Sequence, residues 1–171
     1  EACGDTVRNV MGCHLAGACP FEAFDISPWA QATFDHFLRH PFAQRLPRKF
    51  KINFSGCETD CGQAMFNDVG VVAATRTLDD GSTEVGFQVF VAGGLGANPF
   101  PALALEDFTP REELLPTIES VLRVFNATGK QQTLHPPRAG TTTVFVAGRV
   151  TMCCQEMRIR IHAVRSGSPA Y

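Results

Sequence analysis

The sequence predicts an α+β fold, with a mixed sheet and flanking helices, over residues 1–129. Two helical patterns alternate with strand patterns, and one pair of strands is joined by a hairpin turn. The 171-residue chain is 44% hydrophobic with 14 Phe, which is ample for one core. We therefore expect one domain and then a tail of unclear structure at 130–171, with possible strands at 143–147 and 157–163.

The first elements are marked by caps and by alternation. Residues 1–26 indicate irregular backbone with one short strand, and a helix follows in which Ser27 is the N-cap and Pro28 the first helical residue. Pro41 ends this helix. Residues 49–54 alternate polar and apolar side chains, which predicts a strand.

A hairpin and a second helix are predicted next. Strands at 69–75 and 86–92 flank the turn at 79–82, and a glycine loop follows at 93–96. Residues 109–112 have the form of a capping box ahead of the helix. The apolar stripe of that helix consists of Leu114, Ile118, Val121, Leu122 and Phe125.

Charge and composition exclude several classes of protein. The net charge is −2, which gives no indication of nucleic-acid binding. No apolar run approaches the ~20 residues of a membrane span, and the first residues lack the pattern of a signal peptide. Because the chain begins with Glu rather than Met, we expect a truncated sequence.

Four of the seven cysteines form two pairs. Five residues separate Cys13 from Cys19, three separate Cys57 from Cys61, and glycines flank both pairs. An odd number of cysteines argues against a fully paired disulfide framework, and clustered thiols in a cytoplasmic protein more often bind metal or do redox chemistry. Four thiolates in two pairs suit a cubane cluster, because each iron needs one soft ligand. We expect a cytoplasmic protein with a metal site.

Two alternatives remain open for these thiols. They could be buried and inert, since free cysteine is among the most buried residue types, or they could bind zinc, although a five-residue spacing fits zinc sites poorly. Cys3 and the adjacent Cys153 and Cys154 receive no role. His36 and His40 are one helical turn apart, but no third ligand accompanies them in the sequence.

Several segments, in order, resemble the sirohaem-dependent nitrite/sulfite reductase family. The resemblance covers roughly residues 3–129. Its segments are GDTVRNV (4–10), GC (12–13), AGACP (16–20), LPRKFKINFSGC (46–57), DC (60–61), NDVG (67–70), GFQVFV (86–91) and GGLG (93–96). The loop within the second cysteine pair departs from the family, which often has Pro-Asn where this chain has Glu58 and Thr59.

The resemblance implies two coupled cofactors. Cys13, Cys19, Cys57 and Cys61 would ligate a [4Fe–4S] cluster, and Cys61 would also be the axial ligand of the sirohaem iron. A shared sulfur leaves the electron no gap to cross between the two.

The resemblance also gives roles to basic residues near the cysteines. Arg8, Lys49 and Lys51 would line the substrate pocket, where arginine suits oxyanion contacts and lysine can stabilise charge and supply protons. Lys49 and Lys51 are two apart on the predicted strand, so they project to one face. The alternative is a solvated strand edge. The cysteine pair that begins six residues after Lys51 favours the functional interpretation.

Three further residues are expected to bind the sirohaem together with Cys61. Arg48 points to the opposite face from Lys49 and could bind a sirohaem carboxylate, and Asn9 lies in the first segment of the resemblance. Gly94 would allow backbone to pack against the macrocycle edge; its loop does not match a dinucleotide fingerprint.

The resemblance therefore implies an enzyme that reduces nitrite to ammonia or sulfite to sulfide. Ferredoxin or another donor would supply electrons, and a second half-domain or subunit would complete the sirohaem site. The alternative is a non-catalytic [4Fe–4S] electron-transfer module, and a zinc-stabilised structural domain ranks third.

Overall fold

The computed structural model describes residues 4–96 and 99–129, and the backbone of three further strands between 142 and 163. The main sheet has five strands in the order β1-β2-β3-β4-β5, and a second sheet has three in the order β6-β7-β8. The main-sheet strands are β1 (Val7–Gly12), β2 (Phe50–Ser55), β3 (Val69–Thr77), β4 (Thr83–Val91) and β5 (Leu103–Pro110). The helices are α1 (Ser27–Phe37) and α2 (Leu114–Thr128). The second sheet comprises β6 (Thr142–Val146), β7 (Val150–Gln155) and β8 (Arg158–Ala163).

The main sheet is mixed, as the sequence predicts. β1, β2 and β3 pair in parallel, and β4 and β5 are antiparallel to their neighbours. Parallel neighbours need a crossover, and α1 lies in the segment that connects β1 to β2. The expected α+β class is thereby confirmed.

One face of the sheet, the helix face, forms the core. Successive side chains of a strand alternate between the two faces, so β2 contributes Phe50, Ile52 and Phe54 to this side. All three are buried, in one cluster with Phe37 of α1 and Leu122 of α2. Bulky side chains that shield an entire sheet face provide most of the favourable free energy of such a domain.

The opposite face, called the open face below, carries polar groups. The register places Asn9 beside Lys51, and in the next row Met11 beside Asn53 and Gly70. The chain that follows β2 folds back over part of this face, with a 3-10 turn at Ala64–Phe66.

The helix starts differ from the predicted caps. The N-cap position of α1 is Ile26, and the Ser27 amide instead donates to the Asp25 carboxylate at 2.9 Å. The capping box predicted at 109–112 is wrong, because β5 continues through Pro110 and α2 begins only at Leu114 with no side-chain cap. Pro28 stands within the first turn of α1, where a missing N–H costs nothing.

Strands occupy the predicted positions of the tail, and β7 is an additional one. Cys153 and Cys154 lie in β7, and their side chains fall outside the described residues. Cys3 also falls outside them. Among the helices of the described residues, none combines the length and the apolar character that crossing a bilayer requires.

Candidate functional site

Both cysteine pairs begin directly after neighbouring parallel strands. Cys13 follows the end of β1, and Cys57 follows the end of β2 by one glycine. The last pairing of these strands joins Gly12 to Phe54, and the Cys13 amide donates to the Phe54 carbonyl at 2.9 Å. Since the carboxyl ends of parallel strands meet at one edge, the two pairs start side by side. This thiol end of the open face is the candidate metal centre.

Three of the four thiols converge there. The Sγ atoms of Cys13 and Cys61 are 3.6 Å apart. The hydrogen bond with Cys13 raises the pKa of the Cys61 thiol to about 11, with further contributions from desolvation and from the neighbouring thiols of Cys13 and Cys57. Cys13 and Cys57 are buried. Metal binding would have to displace the Cys61 proton, because the thiolate is the ligand.

Cys19 is free and half-buried, and within the described part of the chain its sulfur makes no hydrogen bond to the other three thiols. The structure therefore brings together Cys13, Cys57 and Cys61, with Cys19 on the loop that begins at Cys13.

A hydrogen bond from strand β2 holds the loop that carries Cys61 in place. Asn53 of β2 donates from Nδ2 to the Gly62 carbonyl at 2.6 Å. A Cβ on Gly62 would lie 3.3 Å from Cys13 Cα, so the two loops are in close backbone contact. The Asp60 carboxylate accepts from the amides of Ala64 and Met65 at 2.7 and 3.0 Å, which secures the turn after the loop.

Gly70 lets this turn rest on the sheet. A Cβ at Gly70 would lie 2.5 Å from the Ala64 carbonyl oxygen, a backbone atom that cannot move independently. We expect Gly70→Ala to lower the free energy of unfolding by about 1–3 kcal/mol, the usual cost of overpacking. Urea denaturation measures the change. The matched control is Gly96→Ala, where the added methyl meets open space; an equal loss in both variants would contradict the expectation.

The predicted lysine pair lies at the other end of the open face. Lys51 is half-buried in β2, and Lys49 is exposed just before it. Both lie close enough to Asp68 for their charges to act on its carboxyl. The Lys51 amide also donates to Asp68 Oδ2 at 2.9 Å. The structure thus brings together Lys49, Lys51 and Asn9, and adds an aspartate.

Burial raises the pKa of the Asp68 carboxyl above its ordinary value of 3.8. The Lys51 amide and the charges of Lys49 and Lys51 act in the opposite direction without cancelling the effect. A carboxyl whose burial and charged neighbours both perturb it is a candidate functional group. Sequence reasoning missed this role, and the only signal was the Asn67-Asp68 step ahead of a buried strand.

The sign of this shift gives a pH-dependent prediction. An acid with a raised folded pKa binds more protons in the folded state, so its contribution to stability falls as pH rises from 3.8 through the folded pKa. We expect Asp68→Asn to gain stability relative to the natural chain over that rise, because the amide keeps an acceptor and removes the buried charge. Urea unfolding of both proteins at several pH values measures the difference, and a difference that does not change with pH would contradict it.

The two arginines and Gly94 make no recognised contact with Asp68 in the described residues; Arg48 directly precedes Lys49, and Arg8 precedes Asn9, which pairs with Lys51. The pairing of β1 with β2 shifts between Val7 and Asn9, which leaves Arg8 in a bulge. Arg8 Nε donates to the Gly4 carbonyl at 2.9 Å. Arg48 is exposed, and Gly94 exchanges two backbone hydrogen bonds with Phe100. The missing Cβ of Gly94 faces open space, which fits close approach of a flat group.

The donor chemistry fits a cluster better than a single metal ion. Within residues 4–96 and 99–129, no group of three or more His, Cys, Asp or Glu side chains could hold one metal ion. His36 is not part of such a group, although a carboxylate oxygen of Glu119 in α2 lies 3.2 Å from its Nε2. A mononuclear zinc site needs four such ligands around one ion. A cubane cluster places one thiolate on each iron, so its four sulfurs need not share an ion.

The structure defines an α+β domain in which thiols converge at one end of a polar sheet face, an arrangement that can hold a metal cluster. A family profile described as "Nitrite and sulphite reductase 4Fe-4S domain" matches residues 3–143. The chain belongs to this family.

Relatives within the family include both kinds of reductase. The assimilatory ferredoxin-dependent nitrite reductase of Haloferax mediterranei is 36% identical over 114 residues, which cover 66% of this chain and 19% of that protein. Sulfite reductase [ferredoxin] 1 of Mycolicibacterium paratuberculosis is 32% identical over 129 residues, which cover 75% and 22%. The chain therefore spans about a fifth of the length of these relatives.

Solved structures give the same fold. The Mycobacterium tuberculosis NirA protein matches with a TM-score of 0.67 and 29% identity, over 78% of this chain and 23% of that one. Dissimilatory sulfite reductase I matches with a TM-score of 0.58 and 16% identity, over 72% and 47%, which shows a shared fold.

Proposed function

We propose that this domain takes part in the multi-electron reduction of nitrite to ammonia or of sulfite to sulfide, at a coupled sirohaem–[4Fe–4S] centre. Membership of the 4Fe–4S domain family supports the iron–sulfur cluster. Relatives named as ferredoxin-dependent nitrite and sulfite reductases support a small oxyanion substrate and ferredoxin as the electron donor.

The observation that carries the proposal is the position of the lysines relative to the thiols. Both lie on the open face, at opposite ends of β2. Ser55 is four positions after Lys51, so at about 3.3 Å per residue the two ends are ~13 Å apart. A cluster at the thiol end would leave the lysine end without a role. A second, larger group on the face between the two ends gives both sets of residues a function.

The residues would divide as follows. Cys13, Cys19, Cys57 and Cys61 would hold the cluster, with Cys61 shared with the sirohaem iron. Asn9 beside Lys51, Gly94 in the loop after β4, and Arg48 just before β2 would contact the macrocycle. When bound, the two cofactors would supply the electrons of the reduction.

The lysines would handle the substrate's charge and protons. Lys49 and Lys51 are two of only three lysines in the chain, which otherwise uses arginine for positive charge. An ammonium group is a compact donor of three hydrogens, so it can bind an oxyanion and also release a proton as an N–O or S–O bond breaks. Arg8 is expected to assist from the bulge of β1.

We expect the isolated chain to bind sirohaem poorly. The proposal is therefore tested by an optical spectrum of the domain together with the second half-domain or subunit that would complete the site, purified without air from cells that make sirohaem. We expect a Soret band together with a red chlorin-type band. A broad shoulder alone would overturn the sirohaem part and favour an electron-transfer module. A colourless protein with no bound iron would overturn both.

A further inference from the structure

We infer that Asp68 is a positioning residue for the lysine pair: its carboxylate fixes the backbone of Lys51, and its charge acts on both ammonium groups at their end of the open face. This inference rests on the proposed function, because it gives the lysines their purpose.

The first contact concerns the strand. The ladder between β2 and β3 begins with Ile52 and Val69, and Lys51 lies one residue ahead of it. The Lys51 amide therefore lies beyond the first ladder pair, and it donates to the Asp68 side chain at 2.9 Å. An unpaired backbone N–H in a half-buried position is costly, so this contact extends the hydrogen bonding of β2 on its β3 side by one residue and fixes the backbone of Lys51.

The second contact ties the same residue to the glycine loop. The Asp68 carbonyl accepts the Ala92 amide at 2.9 Å, at the point where β4 ends. Gly93 follows with no room for a side chain, since its Cβ would lie 2.8 Å from the Asn67 carbonyl oxygen. Asp68 thus fixes the lysine strand on one side and the backbone that leads to Gly94 on the other.

The charge of Asp68 needs its own explanation. A strand-end contact to one amide requires only an acceptor, and an asparagine or serine supplies that without a buried charge. Lys49 and Lys51 are the charged side chains that act on this carboxyl. A buried carboxylate costs stability unless paired, and sites that sacrifice stability are often functional. The charge therefore serves the lysines rather than the fold.

Selective acetylation of the lysine side chains can test this arrangement, because the chain contains few lysines. Only Lys49, Lys51 and Lys130 carry side-chain amines, so acetylation by an amine-selective ester, followed by mass spectrometry, reports the pair against one internal reference. Only the uncharged amine reacts. We expect Asp68→Ala to speed acetylation of Lys49 and Lys51 relative to Lys130 by about two- to fivefold, the range of a partly exposed charge pair.

The Asp68→Asn variant separates the effect of the backbone contact with Lys51 from the effect of the negative charge. The amide oxygen can still accept the Lys51 N–H, so hydrogen exchange at Lys51 should stay slow in this variant and become fast in Asp68→Ala. Acetylation should speed up in both. Asp80→Asn, which removes the same charge from the hairpin turn, is the matched control and should change neither reading; circular dichroism confirms that each variant is folded.

Each outcome bears on the inference separately from the proposed function, because no substrate is used. Acetylation rates unchanged in both Asp68 variants would overturn the positioning role, whatever the optical spectrum shows. The same rise in Asp80→Asn would also overturn it. The inference is supported if acetylation is faster in both Asp68 variants and hydrogen exchange at the Lys51 amide is fast only in Asp68→Ala. The proposal of nitrite or sulfite reduction is judged separately, by the optical spectrum.

Discussion

Replacing Cys57 with Ser is expected to abolish or severely deplete the [4Fe–4S] centre. Each iron of a cubane needs its own thiolate, and a hydroxyl is a much poorer ligand for it. Cys57 is buried at the carboxyl end of β2, in the group that also contains Cys13 and Cys61. Iron and acid-labile sulfide, measured per mole of protein after anaerobic purification, give the result.

Cys153→Ser is the matched control for this experiment. It removes one thiol from β7, outside the two pairs, and should leave the iron and sulfide content unchanged. Equal loss in the two variants would mean that the thiols act only through folding. Full occupancy in both would remove Cys57 from the cluster.

The second large effect is expected at the lysine pair. Replacing Lys49 or Lys51 with Met should slow turnover of nitrite or sulfite and leave the cofactor spectrum nearly unchanged. Loss of one charge-assisted contact costs about 1.5–3 kcal/mol. That corresponds to roughly ten- to a hundredfold in rate. Steady-state assays with a chemical reductant, in any preparation that turns over, measure it.

The lysine experiment also has a matched control. Arg111→Met removes an exposed cation that pairs with Glu112, ahead of α2 and away from the open face. Its turnover should equal that of the natural chain. Rates at the natural level in Lys49→Met and Lys51→Met would mean that both lysines are ordinary solvated charges on the sheet surface.

Local patterns predict the elements that carry a strong signal of their own. The hairpin of β3 and β4 can be found because Gly81 adopts φ +82° and the Ser82 amide donates to the Asp80 carboxylate at 2.8 Å. The stripe of α2 is apolar at helical spacing, and Leu114, Ile118 and Leu122 are buried as it predicts. In these cases chain neighbours alone determine the structure.

β5 shows where local patterns fail. It contains Glu106 and Asp107 and ends at Pro110, and these residue types are typical of loops. The strand lies at the edge of the sheet, where one side makes no ladder hydrogen bonds, so charges and proline are tolerated there. Its existence depends on pairing with β4, which the segment itself does not encode.

The candidate site divides in the same way. Spacing along the chain identifies the cysteine pairs and places Lys49 and Lys51 on one face. It cannot identify Asp68, whose contact with Lys51 follows from the register of β2 against β3. Nor can it place Arg8, because a bulge interrupts the alternation that predicts side-chain direction.

The parallel pairing of β1 with β2 bears on the order of folding. β3, β4 and β5 are neighbours both along the chain and in the sheet, so they can pair while the rest of the chain is still unfolded. β1 can pair with β2 only when the two ends of the segment 13–49 come together. Closing this long loop costs conformational entropy before the contacts between β1 and β2 can form. We therefore expect the thiol end to assemble among the last parts of the fold. Newly made chains would then be unable to take up iron until β1 has docked, and cluster loading would mark the end of maturation rather than its start.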